Sequence, residues 1–244
     1  MTTDFETLCR VTEATWPAAA LRRSGPWTIR AGQGGGKRVS AATAEDVVTE
    51  ADLPLAEREM RALGQTPLFM IREGQEALDG VLEARGYRVV DPVNAWLGPV
   101  APLIADPMPR GCVFDIWEPL AIQVDMWTAA GIGPGRIAVM ERAAHPKTAL
   151  LGRLEYTPAA TAFAAIHQGI AMVHALEVVR PCRRKGMAKL VMRHAAHWAA
   201  DNGADRIAAL CTRANTAANR LYASLGLGVV GQYHYRTEEK DSHE

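Results

Sequence analysis

The hydrophobic and polar positions of this chain switch repeatedly between a helical and a strand period, which predicts an α/β fold. Asp4 to Trp16 reads as a helix, with Pro17 beyond it. Trp27 to Arg30 reads as a strand and Gly32 to Gly36 as a flexible hairpin turn. Lys37 to Ala42, alternating around Val39, reads as a second strand. Asp52 opens a helix with Pro54 in its first turn and Gly64 near its end. Leu68 to Ile71 is a short buried strand. Gln75 to Arg85 carries Leu78, Val81 and Leu82 at core spacing, Gly86 caps this helix, and Tyr87 to Val90 is a strand. This half reads as a self-contained α/β unit.

Four prolines between Gly98 and Arg110 mark an inter-domain connection. The second half predicts strands at Cys112–Ile116, Arg136–Arg142 and Ala149–Tyr156, the last two adjacent and antiparallel, and a helix from Pro119 to Ala130. A long strand from Gly169 to Val179, a long helix from Gly186 to Asn202 and a strand from Arg206 to Cys211 follow. Asn215 to Leu225 is helical and Val229 to Arg236 is a final strand. The expected class is α/β: a mixed, largely antiparallel sheet flanked by helices in residues 105–244, preceded by a smaller α/β domain in residues 1–104.

Composition narrows the partners. Lys plus Arg and Asp plus Glu number 27 each, so net charge argues for neither nucleic acid nor an anionic membrane surface. The four cysteines are scattered with no C-x-x-C pair, which argues against a disulfide framework and a structural zinc site and predicts reduced thiols in a cytoplasmic setting. The acidic start, Met1 to Glu6, does not resemble a signal peptide. The most apolar stretch, Ala159 to Val179, is broken by His167, Gln168, His174 and Glu177, which argues against a membrane span.

The candidate chemistry sits where a strand meets a helix, at Leu176-Glu177-Val178-Val179-Arg180-Pro181-Cys182-Arg183-Arg184-Lys185-Gly186-Met187-Ala188. A helix start presents unpaired N–H groups and a partial positive charge. Gly186 lets the backbone approach a ligand, Ala188 keeps the next turn open, and Arg183, Arg184 and Lys185 add charge. Together they suit a diphosphate. Neither a Walker A loop nor a Rossmann fingerprint is present.

Arg183 to Ala188 resembles the acyl-CoA loop Arg/Gln-x-x-Gly-x-Gly/Ala of the GNAT (Gcn5-related N-acetyltransferase) superfamily. Asn215-Thr216-Ala217-Ala218-Asn219-Arg220-Leu221-Tyr222 with Gly226-Leu227 resembles its Asn-x-x-Ala-x-x-Leu-Tyr…Gly-Phe block, with Leu227 for Phe. Pro181 stands one position later than the family's usual proline, which implies a small change in turn geometry. The resemblance covers roughly Cys112 to Arg236 and implies a GNAT-type sheet with acetyl-CoA as co-substrate. In that family the loop, here through Met187 and its neighbours, grips the pyrophosphate, and the preceding strand, here at Leu176 and Val178, pairs with the pantetheine arm.

The resemblance further implies that Tyr222 is the general acid that protonates the leaving thiolate; the bland alternative is a packing tyrosine. Asn215 is implied as a pantetheine contact, and as a helix N-cap on propensity alone. His174, in Met172-Val173-His174-Ala175-Leu176-Glu177-Val178, resembles a strand histidine of the aralkylamine acetyltransferase branch that helps deprotonate the amine. Its alternative is a core histidine. Glu177 is the rival base or a structural ion pair; strand alternation sets it opposite His174 unless the bulge that family members carry reverses the alternation. His194 and His197, three apart on a helix, read as surface or packing residues without a third metal ligand, so no metal is expected. Tyr233, His234 and Tyr235 are candidate lining of an acceptor pocket or ordinary strand residues.

The first half carries no second coenzyme loop, but Leu82-Glu83-Ala84-Arg85-Gly86-Tyr87 echoes Leu221 to Leu227, as in a degenerate GNAT-like repeat. The expected activity is transfer of an acetyl group from acetyl-CoA to a primary amine of unstated identity. A non-catalytic acyl-CoA-binding regulator and a protein-interaction module remain the alternatives. A homodimer is the default oligomer.

Overall fold

A computed structural model describes residues 3–238; Met1 and Thr2, which head the segment read for targeting, lie outside the described residues. Helix α1 (Asp4–Thr15) begins with a reciprocal cap, in which the Thr3 hydroxyl accepts from the Glu6 N–H and the Glu6 carboxylate accepts from the Thr3 N–H. Strands β1 (Ala20–Ser24) and β2 (Trp27–Ala31) form a hairpin through Gly25-Pro26, and β3 (Thr43–Ala44) adds to β2. Then come α2 (Leu53–Ala62), β4 (Leu68–Arg72), α3 (Glu76–Ala84), β5 (Arg88–Pro99), α4 (Ala101–Ile104) and β6 (Val113–Ile116). The remainder is α5 (Ala121–Ala129), α6 (Pro134–Arg142), β7 (Lys147–Leu154), β8 (Thr157–His167), β9 (Ile170–Val178), α7 (Met187–Asp201), β10 (Arg206–Thr212), α8 (Thr216–Ser224) and β11 (Gly228–Thr237).

Among the described residues eight strands form one sheet in the order β4-β11-β5-β10-β9-β8-β7-β6, in which only the β9–β10 pair is parallel. The sheet is thus mixed and largely antiparallel, with a three-stranded sheet beside it. Two strand–helix–strand units make up one half of it, β4-α3-β5 and β10-α8-β11. Neither closes on itself. Strand β5 pairs with β10, β11 pairs with β4, and β5 and β11 lie side by side. Each unit therefore lends its last strand to the other, and strands from both sides of the 104/105 division are hydrogen-bonded into one sheet. Burial follows the same exchange. Leu8 and Val11 pack with Ala95, Leu97, Ile170, Met172 and Ala208, while Trp96, Val100 and Leu103 enter the core under α7.

Three expectations are corrected. Lys37 to Ala42 is not a strand: Lys37–Val39 is one turn of 3₁₀ helix that buries Val39, and the hairpin partner of β2 is β1. Arg136 to Arg142 belongs to helix α6, which Pro134 starts and whose Val139 and Met140 are both buried, a pairing that a strand with one dry face does not give. The partners of β7 are consequently β6 and β8. The run at Gln33 to Gly36 is a loop laid against α6, where a Cβ on Gly135 would come within 2.5 Å of the Gly34 backbone. Glycine is needed at that crossing because two backbones touch.

Candidate active site

Strands β9 and β10 pair only from Ile170↔Arg206 to Val173↔Ala209 and then part. The cause lies on β9. Opposite β8, His174 faces Phe163 but Glu177 faces Thr161, so three steps on β9 match two on β8. This is a bulge, with Ala175 at φ 50°. Beyond it the β10-facing edge of β9 has no strand partner, and a cleft of about 610 Å³ opens between the strands. The bulge also reverses the side-chain alternation, so His174 and Glu177 both line this cleft.

The turn after β9 is a short 3₁₀ segment, Arg180–Cys182, with Pro181 inside it. The displaced proline is accommodated there. Gly186 adopts the left-handed region at φ 82° and precedes α7 with no side-chain cap, so no side chain covers the first N–H groups of a 15-residue helix. Arg183, Arg184 and Lys185 are exposed around this end. Arg183 Nε donates to the Val178 carbonyl at 3.0 Å, and one of its Nη atoms lies 4.0 Å from Glu177. Met187 turns its side chain into the core, which leaves its backbone alone for a ligand. Leu176, Val178, Arg183, Arg184 and Ala188 line the cleft together with Asn215 and Tyr222.

Helix α8 supplies the opposite wall. Asn215 caps it by accepting from the Ala218 N–H at 3.1 Å. Tyr222 is buried beside Trp96, with ring centroids 6.1 Å apart. Burial, then the neighbouring Cys211, pushes the phenol well above its ordinary value, so it stays protonated. Burial also pushes the Cys211 thiol up, to about 11.

The two candidate bases differ. His174 Nε2 lies 2.9 Å from the Thr15 hydroxyl, whose own proton goes to the Val11 carbonyl at 2.8 Å. The ring must therefore donate from Nε2, which assigns Nδ1 as the acceptor of the Arg38 Nη1–H at 3.1 Å. Both nitrogens are engaged. Burial, then Arg38, holds the imidazole well below its ordinary value, so it is neutral. Glu177 has no such commitment. Burial raises its carboxyl and Arg183 partly opposes the rise.

A second space of about 280 Å³ continues the cleft toward the N-terminal half. Arg38, His174, Ala175, Leu210, Cys211 and Thr212 line both, and Trp16, Lys37, Asp91, Arg136, Tyr233 and Tyr235 line the extension. Tyr233 and Tyr235 thus face a pocket, whereas His234 points to the other side of β11 and bonds Asp79 at 2.7 Å. The His194 ring bonds Asp115 at 2.8 Å on the surface. Sequence reasoning missed Arg38, Asp91 and Arg136, since no local motif surrounds them: packing of the glycine loop on α6 brings Arg38 and Arg136 to the cleft, and Asp91 comes from β5. Among the described residues no helix is long and apolar enough to cross a membrane.

Comparison with known proteins agrees with this geometry. The Acetyltransferase (GNAT) family profile matches residues 120–227, which hold both the loop and the Tyr222 block. The chain is 26% identical to the uncharacterized N-acetyltransferase YobR of Bacillus subtilis (strain 168), over 96% of this chain and 98% of that protein. A GCN5-related N-acetyltransferase structure from Kribbella flavida superposes with a TM-score of 0.72 at 19% identity, covering 100% of this chain and 98% of that one. A tandem GNAT protein from the clavulanic acid biosynthesis pathway superposes with a TM-score of 0.62 at 13% identity, covering 91% of this chain and 83% of that one. Residues 120–227 belong to the GNAT acetyltransferase family, and the fold that carries them matches a tandem GNAT protein over most of the chain.

Proposed function

We propose that this protein is an N-acetyltransferase that moves the acetyl group of acetyl-CoA to a primary amine by direct attack. The observation that carries the reading is a strand cleft that ends at an uncapped, left-handed helix start, with Arg183 and Arg184 beside it and Tyr222 across from it. Acetyl-CoA supplies the thioester. Its pyrophosphate suits the N–H groups from Gly186 to Ala188 together with Arg183, Arg184 and Lys185. Its pantetheine arm suits the edge of β9 beyond its pairing with β10, at Leu176 and at Val178, whose carbonyl Arg183 already holds, with Asn215 opposite.

Glu177 takes the proton of the incoming ammonium, directly or through water, because burial raises its carboxyl toward a useful range and no hydrogen bond among the described residues holds it, Arg183 standing 4.0 Å away. His174 is a positioning residue, since its acceptor nitrogen is already held by Arg38. As the N–C bond forms, a backbone N–H of the β9 bulge stabilises the oxyanion. As the C–S bond breaks, Tyr222 protonates the thiolate. Burial that raises the phenol also raises a thiol formed in the same place, so the proton transfer stays matched.

The test is thermal unfolding with and without acetyl-CoA, beside the double variant Arg183→Glu/Arg184→Glu. Ligand at about a hundred times its Kd adds about 2.7 kcal/mol when it binds only the folded state. A shift in the wild type that the variant loses supports the reading. A folded protein with no shift at millimolar acetyl-CoA refutes it, and binding without turnover of any amine would favour a regulator.

A further inference from the structure

The extension of the cleft is unevenly charged. Three cations line it, Lys37, Arg38 and Arg136, against one anion, Asp91. Lys37 Nζ sits 3.0 Å from Asp91 Oδ2, so these two neutralise each other at the mouth. Two guanidiniums are left, and among the described residues neither has a carboxylate partner. Arg38 spends Nη1 on His174 and lies over the Trp16 ring at 5.9 Å, while its Nε is buried with no acceptor. Arg136 is fixed over the glycine loop, with its Nε 3.2 Å from the place a Cβ on Gly36 would take. A buried N–H donor with no acceptor is costly, and two uncompensated cations around one cleft repel. An oxyanion entering that space would relieve both.

The other end of the same groove has the opposite character. Glu177 stands there, with one Arg183 nitrogen 4.0 Å from its carboxylate. Around the two guanidiniums the extension is otherwise largely apolar or aromatic, from Trp16, Val93, Ile132, Leu210, Tyr233 and Tyr235, and Leu210 runs on into the cleft. At about 280 Å³ the extension suits a small molecule.

We infer that the acceptor is a small-molecule amine that also carries an oxyanion, a carboxylate in the simplest case, on an apolar or aromatic body. Its oxyanion is held by Arg38 and Arg136, whose planar donors suit a carboxylate or a phosphonate. Its amine is directed at Glu177. The inference rests on the acetyltransferase reading and names the substrate class of that same site. The bond changes are those of acyl transfer: N–C forms and C–S breaks. Of the two protons the ammonium sheds, one ends on the coenzyme thiol and one in solvent by way of Glu177. The oxyanion takes no part in them.

The test is release of coenzyme thiol from acetyl-CoA by the full chain with matched acceptors whose amine and acid stand at opposite ends of the body: 6-aminohexanoate, 4-(aminomethyl)benzoate, the phosphonate analogue of the latter, and the decarboxylated amines pentylamine and benzylamine. The expected result is kcat/KM at least about ten-fold higher for the acids than for their amines, as one charge-assisted contact supplies. Preference for carboxylate or for phosphonate supports the inference equally and tells which acid is held. Arg136→Met collapses the ratio toward one, and Arg136→Lys restores part of it. Amines used as well as acids, no acid used at all, or an unchanged ratio in Arg136→Met overturns the inference. Stabilisation by acetyl-CoA in the same preparations separates that failure from failure of the acetyltransferase reading, which would remove the stabilisation as well.

Discussion

Two glycine-to-alanine substitutions should move stability in opposite directions. A Cβ at Gly135 would lie 2.5 Å from the Gly34 carbonyl carbon, 2.6 Å from its oxygen and 2.8 Å from the Gln33 oxygen. Ordinary contact begins near 3.4 Å, so the glycine loop and α6 must separate by roughly 0.9 Å. All three obstructing atoms are backbone, so no rotamer change relieves them. Overpacking of this kind costs about 1–3 kcal/mol. For a chain of this length that lowers Tm by about 2–4 °C per kcal/mol. Gly80 is the contrast: it is exposed inside α3 and a Cβ there meets nothing within 4 Å. Gly80→Ala should raise stability by about 0.5–1 kcal/mol by restricting the unfolded chain. Scanning calorimetry of both variants, with and without acetyl-CoA, is the assay. The loop carries Lys37 and Arg38 but not the walls at Val178, Arg183 and Ala188, so Gly135→Ala should weaken acceptor use and keep acetyl-CoA stabilisation. A Gly135→Ala protein that melts with the wild type would refute the close crossing and the route by which the N-terminal half reaches the cleft.

Three further outcomes are expected. Glu177→Gln should lower kcat by about 10²–10⁴-fold with acetyl-CoA affinity kept. Because a base works deprotonated, wild-type activity should rise with pH through a carboxyl ionisation above the ordinary Glu value, and a variant with wild-type turnover would remove Glu177 from the mechanism. Tyr222→Phe should slow turnover with little change in acetyl-CoA stabilisation, read by thiol release and calorimetry; equal turnover would leave the tyrosine a packing residue. Asp79 accepts from Arg236 Nε and the His234 ring, each at 2.7 Å, and the Arg236 hydrogen bonds, opposed by burial, hold its carboxyl below the usual range. Its folded pKa is below the unfolded one, so the contribution is complete above about pH 4 and is lost as pH falls through the folded value. Asp79→Asn should therefore lower Tm at neutral pH, with the gap closing in acid; a gap independent of pH would contradict this.

Local patterns made much of the molecule legible. Gly86 after α3 and Asn215 before α8 are short-range signals, because a cap is satisfied by residues three or four positions away. The loop from Arg183 to Ala188 was equally readable, since a helix start, a left-handed glycine and clustered cations are all local. Strand β8 was not, because its alanines at 159, 160, 162, 164 and 165 carry little strand preference and are buried on both faces by neighbours distant in sequence. Nor was α6, whose strand-like letters are overridden by Gly133 and Pro134 at its start.

By itself, then, the sequence determined the element types of most segments, the mixed α/β class and the resemblance of the Arg183–Ala188 loop to a family motif, all of which follow from spacings within a dozen residues. Only tertiary structure decided the exchange of β5 and β11 between the two halves, because strand pairing is chosen by the whole sheet and not by a strand's own residues. It also decided how the two candidate bases are engaged. His174 and Glu177 look alike as bases in a string of letters, but Thr15 and Arg38, which arrive from 159 and 136 residues away, occupy both imidazole nitrogens. Hydrogen bonds of that kind are long-range in sequence and short-range in space, and no local pattern encodes them.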